Sequence, residues 1–269
     1  MNQRLSTCLV FGALLLGPCT ASSQETNSNM ARRTILNTPS LQEEDSSRTS
    51  GRSGASVSVR ELRIPERASK AYNKGIDHLT KNDPAGSLVY LRRAVSEFPN
   101  FYEAYYVMGL AQLNLGHEEE AQQAFQQSIN ASGGRYAEPL FGLSALLCNR
   151  REFTDAEPII QKALELAPGF GPGHFILAWA LFGLNRLNEA EKNAHEALVR
   201  DPMLAPAHLL LANIYIIRTD YSAVLAELDA YLRLTPDGAL SDQVRLVQES
   251  LKRKLAGSMI IVAATRAKP

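Results

Sequence analysis

The residues from Ala137 to Gly238 decide the fold. They read AEPLFGLSALLCNRREFTDAEPIIQKALELAPGF (137–170), GPGHFILAWALFGLNRLNEAEKNAHEALVRDPML (171–204) and APAHLLLANIYIIRTDYSAVLAELDAYLRLTPDG (205–238). Set one above another, the three lines share a pattern. Pro168, Pro202 and Pro236 stand 34 residues apart, 168 to 202 and 202 to 236. Each line holds two runs of helical periodicity joined by a short polar turn. A unit of that length cannot bury its own apolar face, so it must stack on neighbours.

Moving toward the N-terminus, the same frame extends to 102–135 and to 68–101, which carries Pro99 at the proline position. Gly133 replaces the proline in 102–135, and one extra residue, Tyr136, precedes the next unit. Small or compact residues recur at position 8 (Gly75, Gly109, Ser144, Ala178, Ala212) and at position 20 (Ser87, Ala121, Ala156, Ala190, Val224). They recur again at position 27 (Ala94, Ser128, Ala163, Ala197). Such residues let helices approach closely, and larger ones at position 24 (Phe125, Ile160, Leu228) fill the remaining space. The proline at position 32 stops the second helix, because it cannot continue the hydrogen-bond ladder.

These residues resemble the tetratricopeptide-repeat superfamily over about Ala68 to Gly238. The resemblance implies an all-α fold, a right-handed superhelical solenoid of about five helical hairpins. It also implies a protein that holds other proteins. The chain further resembles exported bacterial members of that superfamily that assist envelope assembly.

The flanks have other compositions. Arg4 and the apolar run Leu9 to Leu16 read as a secretory signal peptide over 1–22, with small residues near its end. Cys19, in Leu15-Leu16-Gly17-Pro18-Cys19, resembles a lipidation site, although Pro18 departs from the small residue expected before the cysteine. The expected location is therefore periplasmic or secreted, with an outer-membrane lipoprotein as the alternative. Residues 23–56 are polar and charged, as in a disordered tether. Residues 57–67 bring back Val57, Val59, Leu62 and Ile64, an extended lead-in that covers the open end of the stack. At the other end, 239–256 place Val244, Val247, Leu251 and Leu255 on one stripe, a capping helix with Ser241 as its N-cap, and 257–269 form a tail.

Composition narrows the function. Lys and Arg number 28 and Asp and Glu 28, so the basic excess of a nucleic-acid binder is missing. No run of apolar residues after the leader is long enough to span a bilayer. The histidines (His78, His117, His174, His195, His208) show no metal-binding spacing, and no cofactor motif is present. Gly169 to Gly173 form a turn between units, since the Lys-Ser/Thr ending of a phosphate loop is absent. Cys148, among Leu146 and Leu147, reads as a small buried hydrophobe.

In the family resembled, positions 2, 5, 9, 12 and 13 of the first helix line a concave groove. Position 5 here holds Tyr72, Tyr106, Phe141, Phe175 and Leu209, and Trp179 lies at position 9 of the fourth unit. Asn114, Asn149 and Asn213 interleave. This set suits a protein or peptide partner, with aromatics for contact area and amides for the guest's backbone. The same aromatics at helical spacing also suit a core. The basic residues that clamp a carboxylate in co-chaperones of this family are missing from positions 2, 5 and 6. Two other functions stand beside the scaffold: a structural or self-associating solenoid, and an enzyme using Glu103 and Glu138 as paired carboxylates.

Overall fold

The computed structural model describes residues 64–266. The leader, tether and most of the lead-in read above, with Cys19, lie outside the described residues. Eleven α-helices and no strands occur among those residues. They are α1 (Glu66–Thr80), α2 (Pro84–Glu97), α3 (Tyr102–Leu115), α4 (Glu118–Ala131), α5 (Glu138–Asn149) and α6 (Phe153–Leu166). There follow α7 (Gly171–Gly183), α8 (Leu187–Arg200), α9 (Ala205–Ile217), α10 (Tyr221–Leu234) and α11 (Ser241–Arg266). The first ten form five hairpins. Each helix meets mainly its hairpin partner and the next helix in the chain, and the first helices of adjacent hairpins also touch. The result is a solenoid closed by α11.

The close approach of helices follows from the residues chosen. Ser144, Ala178 and Ala212 at position 8 have no exposed surface, nor do Ser87, Ala121, Ala156, Ala190 and Val224 at position 20, nor Ala94, Ser128, Ala163 and Ala197 at position 27. Where position 8 is glycine, a large side chain takes the space. A Cβ at Gly109 would meet the Phe125 ring at 2.4 Å, and one at Gly75 would meet Leu91 at 2.7 Å. Phe125 also lies against Gly142 of the next hairpin, so one ring fills the joint between two repeats.

The helix ends follow from local chemistry. Phe98, Ala167, Asp201 and Thr235 each precede a proline, and their φ values lie between −141° and −134°. Proline pushes its predecessor out of the helical region, which ends α2, α6, α8 and α10 at one register. Helix α4 has no such proline, and Gly133 and Gly134, at φ 62° and 70°, turn the chain instead. Within the hairpins, every turn has one residue in the left-handed region at position 15: Asn82, Gly116, Arg151, Asn185 and Thr219.

Side chains from these turns tie successive repeats together. Arg150 donates to Glu118 at 3.1 Å and to Gln122 at 2.7 Å. Arg186 reaches Glu157 at 2.6 Å, and Arg218 reaches Glu191 at 2.5 Å and Asn188 at 2.6 Å. Each link joins a hairpin turn to the second helix of the preceding hairpin. Being largely solvated, these pairs fix register more than they add stability.

The C-terminal end departs from the sequence expectation. Helix α11 is 26 residues long and continues through Gly257 to Arg266, where a tail was expected. A single glycine costs a helix only about 1 kcal/mol, and no proline interrupts this stretch. Ser241 is the first residue of α11, and its hydroxyl donates to the Thr235 carbonyl at 2.5 Å, so it fastens the helix to the preceding turn instead of capping it. Val244, Val247 and Leu251 cover Val224, Leu228 and Tyr231 of α10, forming a second core beside the main one.

Candidate functional site

The first helices α1, α3, α5, α7 and α9 carry the groove positions, but they do not present them equally. Tyr106 has no exposed surface, Phe141 is 3 % exposed and Phe175 9 %. Leu209 is likewise buried, and only Tyr72 of the position-5 set is half-buried. The rings explain the burial. Tyr106 meets Phe125 at 6.0 Å and the edge of Tyr136 at 5.7 Å, and Phe141 meets Phe170 at 4.7 Å. These side chains form a floor that belongs to the core, and what a guest would touch lies above or beside them.

At the N-terminal end the floor is bordered by a cluster of tyrosines and carboxylates. Tyr102 lies 4.9 Å from Tyr136, and Tyr72 lies 4.8 Å from Phe101. Glu103 and Glu138 begin α3 and α5, where an acidic side chain is favoured by the helix dipole. Burial pushes the Tyr136 hydroxyl well above the usual phenol range, and the neighbouring Glu138, Tyr106, Tyr72 and Glu103 push it the same way. The two glutamates named as a catalytic pair thus flank a tyrosine. Tyr102 and Tyr136 were absent from the expected site because they occupy position 1 and the extra residue between repeats. The one-residue insertion was the available signal.

Toward the C-terminal end the surface is more open. Trp179 and Phe182 on α7 are half-buried, and Trp179 stacks on Phe175 at 6.3 Å. Ile217, at the end of α9, is 47 % exposed. The amides divide. Asn213 is buried and donates to the Leu209 carbonyl of its own helix at 2.8 Å. Asn149 is half-buried, and its Oδ1 accepts no hydrogen bond. Asn114 is half-buried at the end of α3.

The remaining chemistry is structural. His208 contacts Glu227 across α9 and α10 at 2.7 Å, and His174 contacts the Pro168 carbonyl at 3.1 Å. Burial pushes the Cys148 thiol up to about 12, which keeps it protonated and unreactive. Among the described residues no cluster of His, Cys, Asp and Glu is arranged to hold a metal ion, and no helix is long and apolar enough to cross a membrane.

Comparison with known proteins agrees with this architecture. Tetratricopeptide repeat family models match residues 102–133 and 175–239. No curated protein sequence matches the chain. Among solved structures, MamA from Desulfovibrio magneticus RS-1 is 20 % identical, with a TM-score of 0.56, covering 65 % of this chain and 99 % of that one. YrrB, a tetratricopeptide-repeat protein with an unusual peptide-binding site, is 21 % identical with a TM-score of 0.53, covering 70 % and 95 %. PilW, a type IV pilus biogenesis factor, is 14 % identical with a TM-score of 0.60, covering 72 % and 94 %. At these identities the likeness concerns the fold.

Proposed function

Because the chain belongs to the tetratricopeptide-repeat superfamily, we propose that it is a non-catalytic scaffold that holds a segment of another protein against its first-helix face. The observation that carries this reading is the surface around α7. Trp179 and Phe182 keep part of their area exposed beside Asn149, whose Oδ1 lacks a partner. Large aromatics with adjacent open hydrogen-bonding capacity are what an extended or helical guest requires. The unusual peptide-binding site of YrrB agrees with such use of this fold. Export to the envelope is the second part of the proposal, and it rests on the leader-like run Leu9 to Leu16 behind Arg4. Cys19 offers a lipid anchor there, and N-terminal sequencing and mass of the mature protein distinguish the anchored from the free form.

Trp179 is the only tryptophan, so its emission reports the site directly. A partner captured from the native envelope is trimmed to its binding segment and titrated as a synthetic peptide. The emission of Trp179 should shift on binding. Trp179→Ala should weaken affinity by about tenfold or more, as expected when an interface aromatic is lost. A guest that leaves the emission unchanged and binds Trp179→Ala equally well removes this face from the proposal.

A further inference from the structure

The tyrosine and glutamate cluster at the N-terminal end has a candidate ligand in the same chain. Helix α1 is entered through Ile64, which is half-buried against the main core. The chain therefore reaches the solenoid at the start of a first helix. Tyr72, Glu103, Tyr106 and Glu138 also lie in the early turns of first helices, at positions 2 and 5 of α1, α3 and α5. Adjacent first helices touch, so these residues form a row at the height where the chain enters.

Just before Ile64 stands Val57-Ser58-Val59-Arg60-Glu61-Leu62-Arg63. Its two arginines match the chemistry of the row. A guanidinium stacks on a tyrosine face and pairs with a carboxylate through its planar fork, which an aromatic and acidic row offers together. In an extended strand Arg60 and Leu62 share one side, so a cation and an apolar group would meet the row together. The length also fits. Seven extended residues span roughly 23 Å, and the step from α1 through α3 to α5 covers about 16–20 Å at ordinary helix spacing.

We propose that residues 57–63 cross the first-helix face as an intramolecular ligand, placing Arg60 or Arg63 against Glu103 and Glu138 beside Tyr72, Tyr102 and Tyr136. The segment then occupies the N-terminal half of the groove and leaves the Trp179 end for a guest. This deepens the scaffold reading and rests on it only for the second statement.

The test uses the full chain carrying Arg60→Lys, which keeps the charge and supplies an amine. Carbodiimide cross-linking followed by peptide mass spectrometry should join position 60 to Glu103 or Glu138 within one monomer. Trypsin supplies an independent measure on the unsubstituted chain. Cleavage after Arg60 and Arg63 should speed up about tenfold when Glu103→Arg and Glu138→Arg are introduced together, because cleavage follows the undocked fraction. Circular dichroism of that variant must show the helical signal retained, and Glu103→Gln with Glu138→Gln serves if it does not. No link, links only to other carboxylates, or links found only between two copies overturn the proposal. Trp179 emission with the guest is read on the same samples. A docked segment with no guest response rejects the scaffold reading alone, and a guest response without the cross-link rejects the segment alone.

Discussion

The two ends of the solenoid use the same repeat register differently. In the second and third hairpins Tyr106 and Phe141 are sealed by Tyr136, Phe125 and Phe170. In the fourth, Phe175 is also covered, but the surface passes to Trp179 one turn later, which stays half-buried. The hairpin that follows accounts for the difference. The fifth offers Pro206 and Leu209 at positions 2 and 5, with no ring to close over the tryptophan. A repeat position is therefore a place in a lattice, and its neighbours decide whether it becomes core or surface.

The comparison predicts unequal costs. Tyr106→Ala removes a fully buried ring and should lower stability by about 3–5 kcal/mol in a denaturant titration. Trp179→Ala removes a ring with only part of its area buried and should cost about 1–2 kcal/mol. Equal losses would mean that both ends are core and would leave the groove with no aromatic surface.

The next contrast is at position 8. Gly109 faces Phe125 across its hairpin, whereas the matching residue near the other end is Ala178, with Ala194 at position 24. Gly109→Ala would place a methyl group 2.4 Å from the ring and should cost about 1–3 kcal/mol by overpacking. In the background Phe125→Leu, which leaves room, the same substitution should cost much less. A loss that persists undiminished there would show that the glycine is needed for some reason other than the ring.

How much of this was readable in the sequence follows the same logic. The period, the compact positions and the proline stops are properties of single residues repeated in register, so Ser144, Ala178 and Pro202 announce their roles in one dimension. The burial of Tyr106 is a property of a pair. It depends on Tyr136, which stands outside the 34-residue frame, and on a glycine one repeat later. Sequence alone left those aromatics open between groove and core, and periodicity cannot separate two faces that are both apolar. The arginine links from Arg150, Arg186 and Arg218 escaped notice for a related reason. Their partners lie on the preceding hairpin, and the arginines themselves drift by two positions within the repeat.

The hairpin turns provide a third, smaller contrast, this time of opposite sign. Position 15 has a positive φ in all five turns, yet only the second holds glycine there, Gly116 at 80°. At the far end Thr219 adopts 61°, a conformation that its branched Cβ resists. Thr219→Gly should relieve that strain and raise stability by about 1 kcal/mol, net of the added freedom of the unfolded chain. Gly116→Thr should act in the opposite direction by a similar amount. If Thr219→Gly were destabilising, the bond from its hydroxyl to the Arg218 carbonyl would outweigh the strain.

The smallest contrast concerns acid. One aspartate caps a second helix at each end: Asp83 accepts from the Gly86 N–H at 2.8 Å, and Asp220 accepts from the Ala223 N–H at 3.1 Å. Both carboxyls are held below the usual range, Asp83 first by that backbone bond and then by His78, Asp220 first by the Ser222 hydroxyl and then by Ala223. A carboxyl depressed in the folded state contributes stability that is fully present above its ordinary value of 3.8 and is lost as pH falls through the depressed one. Stability should therefore decline in that acid window, and Asp83→Asn or Asp220→Asn should flatten the decline while changing little at neutral pH. Hydrogen exchange distinguishes the ends. Acid should release α2 first in Asp220→Asn and α10 first in Asp83→Asn, because each variant leaves only the other cap to titrate. Simultaneous release in both variants would show that the two ends unfold as one unit and that their contrast is confined to the native surface.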